Sequence, residues 1–209
     1  MRQGPGHKTL ARESWLLIAA IVVPAVLSFM VLPYWVGTVL LLLLVPVGYL
    51  VRSPWTVIPS TPLAVLCPVS GSIKSVEPTS DPWLSRQCSR IVVRNGFWDV
   101  HVLRSPVEGK LMNDWSEPAG VDGCRTHAYW FRTDEGDDVV LALRLGRRAP
   151  LARMFAPCGE RVGQGEQIGF LYFEGIVELY LPQGSRIDVT PGTTVSAGSG
   201  ILGTFVHKD

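Results

Sequence analysis

Between Ser14 and Val51 the 209-residue chain has no aspartate, glutamate, lysine, arginine or histidine. So long a stretch without charge excludes an ordinary surface-patterned domain there and points to a membrane segment. A single helix through all of it would be on the order of 55 Å long, against a hydrocarbon core of about 30 Å. The sequence therefore predicts a two-helix transmembrane hairpin, with spans at about 15–32 and 36–51 and Pro33-Tyr34-Trp35 as the turn. Proline stops the first helix, and Tyr34 and Trp35 suit the headgroup layer. Both spans sit near the short limit for a crossing, so a shallow or re-entrant hairpin is the alternative. Arg2, Lys8 and Arg12 precede the first span, Arg52 follows the second, and the turn carries no charge. The positive-inside rule then places both ends, including the basic segment 1–14, in the cytoplasm. The expected location is the cell inner membrane with the remaining domain facing the cytoplasm. A cleaved signal peptide fits less well, because a second apolar run follows the first with no polar mature sequence between them.

Other scarcities narrow the function. Net charge is only +1, so nothing in the balance calls for nucleic acid. Cys67, Cys88, Cys124 and Cys158 form no C-x-x-C pair, and Cys124 to His127 has no second half-site beside it. Four reduced thiols and no metal are expected. Lys8, Lys74, Lys110 and Lys208 are the only lysines, and none lies in a hairpin turn where biotin or lipoate could be attached.

Beyond Arg52 there is no long helical period, and the segment 52–209 reads as one β-rich domain. Runs of Val, Ile, Leu and aromatic residues predict strands over Arg90–Arg94, Phe97–Leu103, Thr126–Thr133, Asp138–Leu145, Ile168–Phe173 and Ile176–Leu181. Alternation in the last puts Val177, Leu179 and Leu181 on one face and Glu178 and Tyr180 on the other. Turns are expected at Val121-Asp122-Gly123, Asp134-Glu135-Gly136 and Pro191-Gly192. The stretch from Val189 to Gly203 has the strand-turn-strand pattern of a barrel-sandwich domain.

Four blocks carry a more specific likeness. Val51-Arg52-Ser53-Pro54 resembles the phenylalanine-arginine-aspartate-proline opening of the short phosphatidylserine decarboxylases, and Cys67-Pro68-Val69-Ser70-Gly71 resembles their alanine-aspartate-glycine motif. Asp99-Val100-His101-Val102-Leu103-Arg104-Ser105-Pro106-Val107-Glu108-Gly109 is similar to their valine-histidine strand and the turn after it. Gly163-Gln164-Gly165-Glu166-Gln167-Ile168-Gly169-Phe170, followed by Val177-Glu178-Leu179-Tyr180-Leu181-Pro182, is similar to the segment around their processing site. The resemblance implies a mainly β, barrel-sandwich-like decarboxylase domain behind a membrane hairpin.

In that family, a serine attacks the carbonyl of the preceding glycine, cuts the chain and becomes a pyruvoyl group that serves as electron sink for decarboxylation. A histidine held by an aspartate activates the serine. Carried over, the histidine is His101, while the aspartate falls on Ser70 and the glycine-serine pair on Glu174-Gly175. The family's asparagine-glutamate-arginine motif is not recognisable near Cys124-Arg125-Thr126, and of its later paired arginines Arg153 remains while Met154 replaces the other. Gly175 has no hydroxyl, so no pyruvoyl group can form there and no cofactor is expected. The reading is a pseudoenzyme of phospholipid metabolism that binds membrane phospholipid, with a membrane enzyme or a second copy as further candidate partners. Arg104 is the candidate residue for the substrate's phosphate or carboxylate. An active decarboxylase, or a different reaction in the old pocket with His101 as general base, is the alternative.

Overall fold

The computed structural model describes residues 56–118, 124–146, 152–172 and 174–207, together with 22–24, 26, 35, 38, 39 and 42. The chain divides into two compact units, one containing Thr56–Asp209 and the other Pro5–Trp55. In the second unit the described positions are helical. Among the described residues no helix is long and apolar enough to cross a membrane. Most of the expected spans at 15–32 and 36–51 lie outside the described residues, as does the expected turn at Val121-Asp122-Gly123.

The first unit is mainly β. Its strands are β1 (Ala64–Leu66), β2 (Gly71–Ser80), β3 (Gln87–Asn95), β4 (Val102–Arg104), β5 (Gly109–Glu117), β6 (Arg125–Arg132), β7 (Asp138–Leu145), β8 (Ala152–Met154), β9 (Arg161–Val162), β10 (Gln167–Leu171), β11 (Gly175–Pro182), β12 (Arg186–Ile187), β13 (Thr194–Val195) and β14 (Ile201–Thr204). Eight of them form one sheet in the order β13-β2-β3-β11-β7-β6-β5-β9, and two three-stranded sheets, β1-β14-β12 and β4-β10-β8, complete the unit. The pairings are antiparallel.

Alternation explains which face each strand buries. Val177, Leu179 and Leu181 of β11 join Val139, Leu141, Leu143 and Leu145 of β7 and Ile91 and Val93 of β3 in the main core. Burying each such side chain contributes about 1.5–3 kcal/mol. The opposite face is covered too, because Cys88, Ala128, Val140, Ala142 and Tyr180 pack under Trp83, Leu84, Trp115 and Trp130. Small residues in the middle of β6 and β7 leave room for the indoles. Glu178 is therefore buried, and its carboxylate accepts from Tyr180 Oη at 2.6 Å and Arg144 Nη1 at 3.4 Å.

The expected strand over Phe97–Leu103 is a correction. Residues 97–99 form a turn and only Val102–Arg104 pairs as a strand. Asn95-Gly96 is a turn-forming dipeptide, and Asp99 Oδ2 accepts from Gly96 N at 2.8 Å while Asp99 N donates to Gly96 O at 3.1 Å. These local bonds replace the ladder that a strand would have needed.

Candidate functional site

His101 sits in the short segment between that turn and β4, and is 2 % exposed. Its backbone carbonyl accepts from Leu171 N at 2.8 Å, which ties it to the end of β10. Its ring is held on both edges: Nδ1 lies 2.9 Å from Asn95 Oδ1 and Nε2 lies 3.0 Å from the Phe97 carbonyl oxygen. Asn95, also fully buried, is itself oriented by two bonds from its Nδ2, to Ser70 O at 2.8 Å and Val100 O at 3.1 Å. Those two carbonyls require the amide nitrogen on their side, so Oδ1 must face the imidazole. Both ring nitrogens thus face acceptors, an arrangement complete only for the imidazolium. Burial opposes that charge and is the larger effect, so the His101 pKa lies below its ordinary value of 6.5 despite the Phe97 carbonyl and the Asp99 charge.

Ser70 does not touch the imidazole through its hydroxyl. Its Oγ accepts from Ala197 N at 3.0 Å, and its carbonyl serves Asn95. The side chain that orients His101 is therefore Asn95, an amide without charge. Sequence reading passed over it, although Asn-Gly at the end of an apolar run was the available signal. The next motif residue, Gly71, is required by close approach, because a Cβ there would collide with the Arg94 carbonyl on β3.

Gly175 opens β11 directly opposite Asn95 in the antiparallel register. Cross-strand neighbours of this kind have Cβ positions about 4.5–5.5 Å apart. The fold thus brings His101, Asn95 and position 175 together. A Cβ at Gly175 would meet only Arg144 O at 3.8 Å and Leu145 Cδ2 at 3.9 Å, ordinary contacts. The position is open to a side chain and carries none. Glu174 beside it is exposed and pairs weakly with Arg94 at 3.8 Å.

Arg104 lies at the other end of β4 from His101, about 10 Å along an extended strand. Its Nη1 donates to Gly165 O at 2.9 Å and its backbone N–H to Pro68 O at 2.8 Å. Burial lowers its pKa from the ordinary arginine value. The first bond holds the Gly163–Glu166 turn, and the second ties β4 to the segment before β2.

Among the described residues the cysteine nearest Ser70 in sequence is no substitute for a serine nucleophile. Cys67, three residues before Ser70, is fully buried, donates to Val69 O at 3.0 Å, and has its thiol pKa pushed up by burial to about 12. Among the described residues no His, Cys, Asp and Glu group could hold a metal ion.

Comparison with known proteins gives near full-length matches. The chain is 34 % identical over 215 residues to a protein of Nitrosomonas eutropha, covering 95 % of this chain and 96 % of the relative. It is 35 % identical over 212 residues to one of Aromatoleum aromaticum, covering 94 % and 95 %. It is 36 % identical over 211 residues to one of Burkholderia ambifaria, covering 94 % and 96 %. Each of the three is named phosphatidylserine decarboxylase proenzyme. No family model and no solved structure matches the chain.

Proposed function

The chain belongs to the phosphatidylserine decarboxylase family, and from that premise we propose that it is a membrane-anchored member that binds phospholipid headgroups and does not convert itself into a pyruvoyl enzyme. One observation carries the reading: the position assigned by resemblance to the self-cleaving serine is Gly175, opposite the Asn95 that holds the histidine and open to a side chain that is not there. Self-processing needs an oxygen to attack the preceding carbonyl, and an absent oxygen is a different matter from a weakened one. The residues present do not fit a pyruvoyl group, since Gly175 has no hydroxyl from which one could form.

The surroundings favour the same reading. A general base must offer a free lone pair toward the proton it removes, whereas the His101 nitrogens both face acceptors in its own loop and in Asn95. No carboxylate is hydrogen-bonded to the ring, so an imidazolium formed during catalysis would have the Asp99 charge nearby but not the bonded carboxylate of a triad. The uncharged run from Ser14 to Val51 supports anchoring in the cell inner membrane, with the β domain in the cytoplasm.

A second reading, an active decarboxylase, is favoured by the relatives themselves, which are named as decarboxylase proenzymes over nearly their whole length. The two readings separate on one assay. The purified full-length chain is incubated with phosphatidylserine vesicles, with and without hydroxylamine. No phosphatidylethanolamine is expected in either arm. Product that hydroxylamine abolishes would establish a ketone cofactor and the second reading.

A further inference from the structure

Arg104 is a half-buried cation that the described protein groups do not neutralise. Its side chain crosses the backbone of Gly198, where a Cβ would fall 2.5 Å from Arg104 Cδ and 3.3 Å from Nε. Gly198 has φ +74°, so glycine is required there both for the conformation and for the room. The turn that carries it is fixed, with Ala197 N donating to Ser70 Oγ at 3.0 Å and Gly198 N to Cys67 O at 2.8 Å. Arg104 Nη1 is anchored on Gly165 O at 2.9 Å, in a second turn held by Gly165 N donating to Ser105 O at 2.9 Å. Nε–H and one Nη2–H of a guanidinium point the same way, so anchoring Nη1 leaves that two-donor fork unused. Neither Nε nor Nη2 belongs to the buried polar atoms that lack a partner, so both reach solvent. Among the described residues no carboxylate pairs with Arg104. Burial alone acts on its pKa, with no neighbouring negative charge raising it. Glu166, in the adjoining turn, has its carboxylate on Gly163 N at 2.7 Å.

We propose that the Nε–Nη2 fork of Arg104 is a binding site for a phosphate group, carried by inorganic phosphate or a small phosphate ester in solution, or by a lipid. A charge taken partly out of water is normally paired, and here the protein supplies carbonyl groups only. The fork matches two oxygens of a tetrahedral oxyanion. Ser199, next to Gly198, is exposed, and its hydroxyl makes no hydrogen bond among the described residues. It is a further donor that suits a third oxygen, which a carboxylate lacks. Gly165 O and the Gly198 backbone hold the guanidinium in place beforehand, so little side-chain freedom is lost on binding. The fork lies about 10 Å along β4 from His101, which makes it a second site and not part of the pocket at His101 and Gly175. It goes beyond the phospholipid-binding reading, because a soluble phosphate is enough to fill it.

The test is an NMR titration of the isotopically labelled full-length chain in maltoside micelles, with the Arg104 Nε–H resonance assigned by its absence from Arg104→Lys. Inorganic phosphate, at an ionic strength held constant with chloride, should shift that resonance saturably and slow its exchange with water. Arg104→Lys keeps the charge and loses the fork. It should bind phosphate about tenfold more weakly in equilibrium dialysis, the loss of one charge-assisted hydrogen bond. Short-chain phosphatidylglycerol added to the micelles is the lipid arm. A saturable shift with either probe supports the site, and the probe that saturates at the lower concentration identifies the source of the phosphate. No shift with either would overturn the proposal and leave Arg104 as a clasp on the Gly163–Glu166 turn. Acetate matching phosphate, or equal binding by Arg104→Lys, would overturn it as well. Should the lysine variant fail to fold, the resonance is assigned in the parent from its contact with Gly198, and the titration alone decides. Chain cleavage is read separately, by mass, so failure of this site leaves the unprocessed reading standing and the reverse.

Discussion

Glycine at position 175 and asparagine at position 95 are direct partners on neighbouring strands, and the Asn95 side chain holds one edge of the His101 ring. Gly175→Ser meets only contacts of 3.8 Å and beyond, so it should fold with stability within about 0.5 kcal/mol of the parent. It should also remain uncleaved, because the imidazole is committed to Asn95 and Phe97. A chemical denaturation curve and a denaturing gel check both halves. Asn95→Asp puts a carboxylate against two carbonyl oxygens, and loss of the two donated bonds should cost about 1–3 kcal/mol. The same change should raise the His101 pKa, readable by NMR titration of its ring protons. In the parent the sign runs the other way. The folded pKa is below 6.5, so the unfolded chain binds the proton more readily. The His101 contribution to stability is full above pH 6.5 and is lost as pH falls through the depressed folded value. Urea midpoints for the parent should therefore fall between neutral and mildly acidic pH by more than those of His101→Gln. Equal falls would remove His101 from the pH dependence. Residue identity at 101, 70 and 175 was legible from the motifs. Asn95 was not, because its role comes from the Ser70 and Val100 carbonyls, which only the fold brings to it.

At the scale of strands, reading worked where one face alternates cleanly against the core. Asp138–Leu145 was read to its bounds, and Thr126–Thr133 and Ile176–Leu181 came within a residue of β6 and β11 at either end. The long strands β2 and β5 were missed because their outer halves carry Lys74, Glu77 and Pro78, or Asn113, Asp114 and Glu117, at exposed or half-buried positions. Neighbouring strands hold those segments extended, and no local pattern announces it. Phe97–Leu103 failed for the opposite reason: its apolar run is real, but Gly96 and Asp99 close a turn inside it. The two-sided burial of β11 makes separate predictions for its two faces. Leu179→Ala, which empties the main core, should cost about 2–5 kcal/mol. Tyr180→Phe removes the 2.6 Å hydrogen bond to the buried Glu178 carboxylate and should cost about 1.5–3 kcal/mol. Both are measured by urea unfolding, and a neutral Tyr180→Phe would mean that Arg144 alone satisfies Glu178.

For the whole molecule, the family was legible because the motif blocks keep their order along the chain, and relatives at 34–36 % identity over about 95 % of it agree. Activity is not inherited with the fold, since it lives in a few side chains. The membrane reading rests on composition alone: an uncharged stretch of this length should keep the protein with the bilayer through high salt and alkaline carbonate. Release by either wash would refute anchoring. The central claim, that Gly175 leaves the chain unprocessed, has a direct measurement in the intact mass and N-terminal sequence of the protein purified from its own cells. One species near 22.9 kDa is expected, with no fragment beginning near residue 175. Two fragments, the smaller starting at or near residue 175 with a blocked, ketone-reactive N-terminus, would contradict it.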